Sequence, residues 1–210
     1  KNTIYFYNDK KAVQSQIHIL VPGSKMELKD RLTSRTFNKY FGSGMSALVF
    51  QEIREFRSLA YSAYGIYQVP WYLDGEGYFR GYIGTQTDKT VDALTAFLDL
   101  IDNMPRSSER FEESVNSLLN RYRTAKLNFR EVIGAVRSWE RLGFETDPRR
   151  ERFQQLQDAS LEELLAFQQE HVQNRPKLIS IVGDLSIIDA NELEQFGTVE
   201  EVQVDQLFVE

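Results

Sequence analysis

The chain has 210 residues, 41% of them hydrophobic and 27% charged, with a formal net charge of −6. Such a composition belongs to a globular protein large enough to bury roughly 70% of its unfolded surface, and its acidic balance argues against a nucleic-acid partner. Without cysteine it has neither a disulfide framework nor a thiolate metal site, and no apolar run approaches the roughly 20 residues that span a bilayer, so no membrane insertion is expected.

The first residue is lysine and nothing at the start reads as a signal peptide; either processing has removed a leading segment or the chain is a domain of a longer protein. Residues 3–7 and 14–21 are β-branched and aromatic and flank the polar run 8–11. That pattern predicts two strands joined by a turn, the second ended by Pro22 and Gly23. A helix is expected over 30–40, interrupted by Gly42, Ser43 and Gly44, where glycine at a helix–helix corner is a better explanation than a phosphate site. Met45, Leu48, Val49, Ile53 and Phe56 then share one face of a 3.6-residue period, with Ser43 as N-cap. Segments 59–69 and 77–84 read as a hairpin with a long connection.

From Asp88 the pattern is helical for about 80 residues. Val91, Leu94, Leu98 and Ile101 line a helix closed by Pro105; Phe111, Val115, Leu118, Leu119 and Tyr122 line the next, capped by Ser107 or Ser108. Val132, Ile133, Val136 and Trp139 mark a third that ends near Gly143. Ser160 and Glu163 form a capping box opening a fourth, with Leu161, Leu164 and Leu165 inward. A buried strand follows at 177–182, stopped by Gly183 and Asp184, and the tail holds a short helix near Asn191 and an edge strand at 202–204. Strands in hairpins and helices in runs predict one α+β domain over residues 1–210, an antiparallel sheet with helices packed on one face.

Metal chemistry has little to work with. The two histidines are far apart, His18 between Ile17 and Ile19 on a strand and His171 at a helix end where a cation suits the dipole, so both read as structural and the chain itself is expected to hold no zinc. No Gly-x-Ser-x-Gly elbow and no phosphate-cradling loop occurs. Arg54 near the end of its helix and Tyr61 just past it are two donors able to bind a peptide carbonyl or a developing oxyanion. The competing reading is a solvated arginine beside a core tyrosine.

Residues 38–61 read Asn-Lys-Tyr-Phe-Gly-Ser-Gly-Met-Ser-Ala-Leu-Val-Phe-Gln-Glu-Ile-Arg-Glu-Phe-Arg-Ser-Leu-Ala-Tyr. This run resembles the second-domain signature of the pitrilysin/insulinase family of zinc metallopeptidases, whose pattern has Phe-Gly-x-Gly, an Arg-Glu pair and a closing Leu-(Ala/Gly)-Tyr. Gln14-Ser-Gln-Ile, residues 143–148 and the helix and strand over 160–184 add to the likeness, which follows the whole chain in the same element order. In that family four such domains in two halves enclose a chamber; a His-x-x-Glu-His motif in the first binds zinc, and the last supplies an arginine and a tyrosine seven residues apart. The resemblance therefore implies a mitochondrial-processing-peptidase-like domain in which Arg54 and Tyr61 bind substrate carbonyl and stabilise the transition state. It implies zinc held by another domain of the parent, no metal ligand or cofactor in this segment, and as partners a peptide substrate and the other domains of the same chain. Ser58 stands where glycine is usual, which implies a mild backbone change. The ending, residues 196–208, resembles the tail of large envelope members from Bacteroidetes-type bacteria, which implies the fourth domain and a periplasmic or cell-envelope location. The alternative within the family is a non-catalytic structural or peptide-binding domain of a member that has lost its zinc motif.

Overall fold

In the computed structural model, which describes residues 1–42 and 44–207, the first two apolar segments become β1 (Thr3–Asn8) and β2 (Gln14–Lys25). α1 (Leu28–Phe41) follows, then a π-helix (Phe50–Phe56), β3 (Ser62–Gln68) and β4 (Glu76–Gln86). The helical run comprises α2 (Thr90–Asp102), α3 (Ser108–Thr124), α4 (Val132–Arg141), α5 (Arg149–Gln157) and α6 (Leu161–His171). β5 (Leu178–Gly183), α7 (Ala190–Glu194), β6 (Thr198–Glu201) and α8 (Val204–Leu207) complete the described residues.

The six strands of the described residues form one sheet in the order β3-β4-β2-β5-β1-β6. It is antiparallel from β3 through β5 and parallel where β1 meets β5 and β6. The domain is thus α+β with a mixed sheet. β1 and β2 do not pair, as the turn between them suggested; β5 lies between them, paired to both. Their connection therefore crosses two strand spacings, about 10 Å, which a few extended residues bridge. Nor does Pro22 end β2. The strand continues to Lys25 with a register shift between Pro22 and Lys25, and Gly23 lies so close to the Gly77 carbonyl that a Cβ would sit 2.0 Å from it, the close backbone approach for which a strand glycine is suited. The tail strand falls at Thr198–Glu201, with Val202 donating its N–H to the Phe6 carbonyl at 2.8 Å.

Side-chain alternation puts Ile17, Ile19 and Val21 of β2 and Phe79 and Ile83 of β4 on the helix side, all fully or almost fully buried. Phe37 and Phe41 of α1 stack at 5.2 Å and meet Phe79 and Phe97 edge-on, the offset geometry in which rings add to their burial energy. The capping signals hold: the Ser107 hydroxyl accepts from the Arg110 N–H, and Ser160 and Glu163 form the reciprocal box. α4 keeps its predicted span but buries none of its residues. It stands off the core, its end tied to the β3–β4 connection by the Leu73 N–H on the Arg141 carbonyl at 3.3 Å and by Arg141 over the Trp71 ring.

His171 is structural, as expected, but it is not the helix-end cation that its position suggested. It is buried against Phe167 and Tyr67, and neither ring nitrogen has a hydrogen-bond partner among the described residues. Burial lowers its pKa from 6.5, with Arg175 pushing the same way and Glu170 and Asp30 opposing. The neutral ring is therefore the folded form. The unfolded ring takes a proton near pH 6.5 that the folded ring resists, so stability should fall as pH drops below about 6.5. We expect a thermal midpoint lower at pH 5.5 than at pH 7.5, and a smaller difference in His171→Phe. An unchanged difference in that variant would assign the acid sensitivity to other groups.

Candidate functional site

The predicted regular helix from Met45 to Phe56 is realised differently. Helical backbone begins at Leu48, and Phe50–Phe56 is π-helical, a form that recurs at functional sites. Leu48, Val49 and Ile53 are buried as the period required, but Met45 and Phe56 are 76% and 71% exposed. Met45 lies in the turn that precedes the helix, and the wider π turn rotates Phe56, at the far end of the apolar stripe, off the core. The N-cap assigned to Ser43 lies outside the described residues.

Past Phe56 the chain reverses through Arg57 and Ser58 and returns as β3. Three hydrogen bonds fix the reversal: the Leu59 N–H on the Ile53 carbonyl at 2.9 Å, the Thr85 hydroxyl on the Leu59 carbonyl at 2.5 Å, and the Tyr61 N–H on the Gly84 carbonyl at 3.0 Å. Leu59 packs against the core and Ala60 is buried. Tyr61, next in line, points out of the fold and is 79% exposed. It is not a core tyrosine.

The reversal brings the two candidate residues together. The Arg54 guanidinium carbon lies 4.8 Å from the Phe50 ring centre and 5.9 Å from that of Tyr61, within the range of a cation–π contact. Its Nε is 3.7 Å from a Glu55 carboxylate oxygen, with both side chains about half exposed, too open for a strong ion pair. Both donors thus face solvent side by side and are free to meet a carbonyl oxygen. Phe50, under the guanidinium, was not singled out from sequence; its i, i+4 spacing to Arg54 was the available signal.

Ser58 takes φ +50, the left-handed region that costs a side chain roughly 1 kcal/mol and glycine nothing. This gives a physical reason for glycine at that place in the family pattern. Ser58→Gly should raise stability by about 0.5–1 kcal/mol in urea unfolding, relief of strain outweighing the entropy gained by the unfolded chain. A loss of stability would mean the serine side chain contributes more than its backbone costs.

Zinc does not fit the described residues. Among the described residues no three His, Asp or Glu gather to hold a metal ion; His18 lies exposed against the Tyr82 ring at 5.1 Å, and His171 is enclosed by aromatic rings on another element. No helix among the described residues is long and apolar enough to cross a membrane.

The fold and the 38–61 segment agree with comparison to known proteins. A family model described as the peptidase M16 inactive domain matches residues 1–118, more than half of the chain. The chain belongs to that family. An uncharacterized zinc protease of Streptomyces coelicolor is 32% identical over 98 residues, which are 45% of this chain and 20% of that protein. The crystal structure of a peptidase M16 inactive domain from Pseudomonas fluorescens aligns with a TM-score of 0.74 at 16% identity, over 88% of this chain and 44% of its own. The periplasmic protease PqqL from Escherichia coli aligns with a TM-score of 0.67 at 15% identity, over 87% of this chain and 20% of its own. At such identities the two structures speak for the fold. The chain spans a fifth of the curated relative and less than half of either solved chain.

Proposed function

We propose that this chain is the substrate-binding, transition-state-supporting domain of a zinc-dependent endopeptidase that hydrolyses unfolded peptides, with the metal held by another domain of the parent. Arg54 and Tyr61 donate to the carbonyl of the scissile peptide. The observation that carries this reading is their exposure side by side, with the guanidinium 5.9 Å from the phenol ring centre and neither donor spent on the fold. Alone the segment is expected to be inactive, since its two donors bind a carbonyl and the zinc that would activate water is assigned to another domain. The fourth position in the parent chain and a periplasmic or cell-envelope location follow the resemblance of residues 196–208, and a periplasmic protease among the structural neighbours supports the location alone.

The test is peptide hydrolysis by the full-length protein with Tyr61→Phe or Arg54→Lys. A fall in turnover without loss of folding supports the reading. Full activity in both variants, or a parent without any His-x-x-Glu-His motif, would turn it toward a structural or peptide-holding domain.

A further inference from the structure

The chain has 31 acidic against 25 basic residues, yet one of its grooves is strongly cationic. It lies between α1, α3 and α5 beside β3, with a volume of about 570 Å³, within the range of ligand sites. Arg35, Lys39, Arg121 and Arg149 line it, and among the described residues no carboxylate does. Its floor is apolar, with Leu118 and Leu156, and Ile66 of the edge strand β3 borders it. Two of the cations are held in place: Arg35 donates to the Tyr122 hydroxyl at 3.0 Å, and the Arg149 Nε and Nη2 fork onto the Asp147 carboxylate at 2.9 and 2.5 Å. The other two, Lys39 and Arg121, have no ion-pair partner among the described residues. Arg152, which lines a neighbouring cavity with Arg35, has its pKa lowered by burial first and then by Arg35 and Arg31, with Tyr122 and Asp147 opposing. Cations that line one groove repel one another, and an anionic ligand relieves the repulsion.

We propose that this groove binds an acidic segment of an extended peptide, with carboxylates on Lys39 and Arg121 and alternate apolar side chains on the floor. The peptide as occupant rests on the function proposed above. Ile66 of β3 lies five residues beyond Tyr61, which immediately precedes that strand, about 17 Å along extended chain. A substrate whose carbonyl meets Arg54 and Tyr61 therefore reaches the groove within about six residues. The free edge of β3 does not offer strand addition there. Asn38 occupies both backbone groups of Tyr67, donating to its carbonyl at 2.9 Å and accepting from its N–H at 2.6 Å. Recognition in the groove is by charge and side-chain fit, not by a backbone ladder.

The test is fluorescence anisotropy of the 210-residue chain with a labelled tetrapeptide of alternating leucine and glutamate, too short to span both sites, and with its glutamine counterpart. The acidic peptide should bind at least about tenfold more tightly than the glutamine one, the effect of one charge-assisted contact, and lose that advantage in high salt. Lys39→Gln and Arg121→Gln should each weaken it about tenfold, while Tyr61→Phe leaves it unchanged. Equal affinity for the two peptides would overturn the proposal whatever becomes of the variants. So would a Tyr61→Phe loss as large as that of Arg121→Gln, which would seat the peptide at the carbonyl-binding pair, or displacement by equimolar decanoate, which would make the groove an acyl-carboxylate site. Failure of these binding tests leaves the turnover test of Tyr61 intact, and the reverse also holds.

Discussion

Tyr61→Phe in the full-length parent is expected to lower turnover on an unfolded peptide by a factor of about 10²–10³, about 3–4 kcal/mol of barrier. Amide hydrolysis places negative charge on the carbonyl oxygen, and a donor aimed at that oxygen acts more strongly as the charge develops. The phenol offers one directional hydrogen bond; the Arg54 guanidinium offers a fork and a permanent charge. The substitution removes one hydroxyl and keeps the ring. The ring is 79% exposed and its contact with Arg54 needs only the π face, so the thermal midpoint should move by no more than roughly 1 °C and the parent's metal content not at all. Arg54→Lys keeps the charge but loses the fork and the stacking on Phe50, and should raise KM about tenfold besides slowing turnover. Steady-state kinetics with a quenched fluorescent peptide separates these effects. If Tyr61→Phe retains full activity at unchanged metal content, the pair is a surface stack and has no part in the reaction.

The segments that organise this pair were unevenly legible in the sequence. Local signals carried far. Ser107 and Ser160 mark helix starts because an N-cap hydroxyl and its backbone partner lie three residues apart in the chain, and α2, α3 and α6 follow the spacing of their apolar residues. Sheet order did not follow, because the residues that separate β1 from β2 are 178–183, far along the chain, and nothing local to residues 8–13 distinguishes a hairpin turn from a bridge over an inserted strand. Periodicity also predicts which face of a helix is apolar without saying what covers it. α4 has such a face, yet Ile133 on it is 68% exposed. At the site itself, Met45, Ile53 and Phe56 fit a 3.6-residue period well enough to hide the π-helix, and the outward turn of Tyr61 depends on the left-handed backbone at Ser58, a residue type that rarely announces it.

Gly42→Ala should be the most damaging small substitution near the site, costing about 3 kcal/mol and roughly 10 °C in thermal midpoint. The residue closes α1 with an ordinary φ of −139°, so conformational freedom is not what demands glycine here. Contact demands it. A Cβ at Gly42 would sit 1.8 Å from the Gly65 carbonyl oxygen and 2.5 Å from that residue's carbon and nitrogen. All three are backbone atoms of β3, and none can rotate aside as a side chain would. Relief requires α1 and β3 to separate, which strains the two Asn38 hydrogen bonds to Tyr67 and the packing of Phe41 over Gly65. It also shifts the strand whose first turn sets Tyr61. Gly134→Ala makes the matched control: it lies inside α4 with nothing within 4 Å of its added Cβ, and should gain about 0.5–1 kcal/mol through helix propensity alone. Urea unfolding of the two variants reads the contrast directly. Losses of similar size at both positions would mean that the methyl group itself is tolerated at Gly42, and that α1 does not press on the edge of β3 as closely as this fold places it.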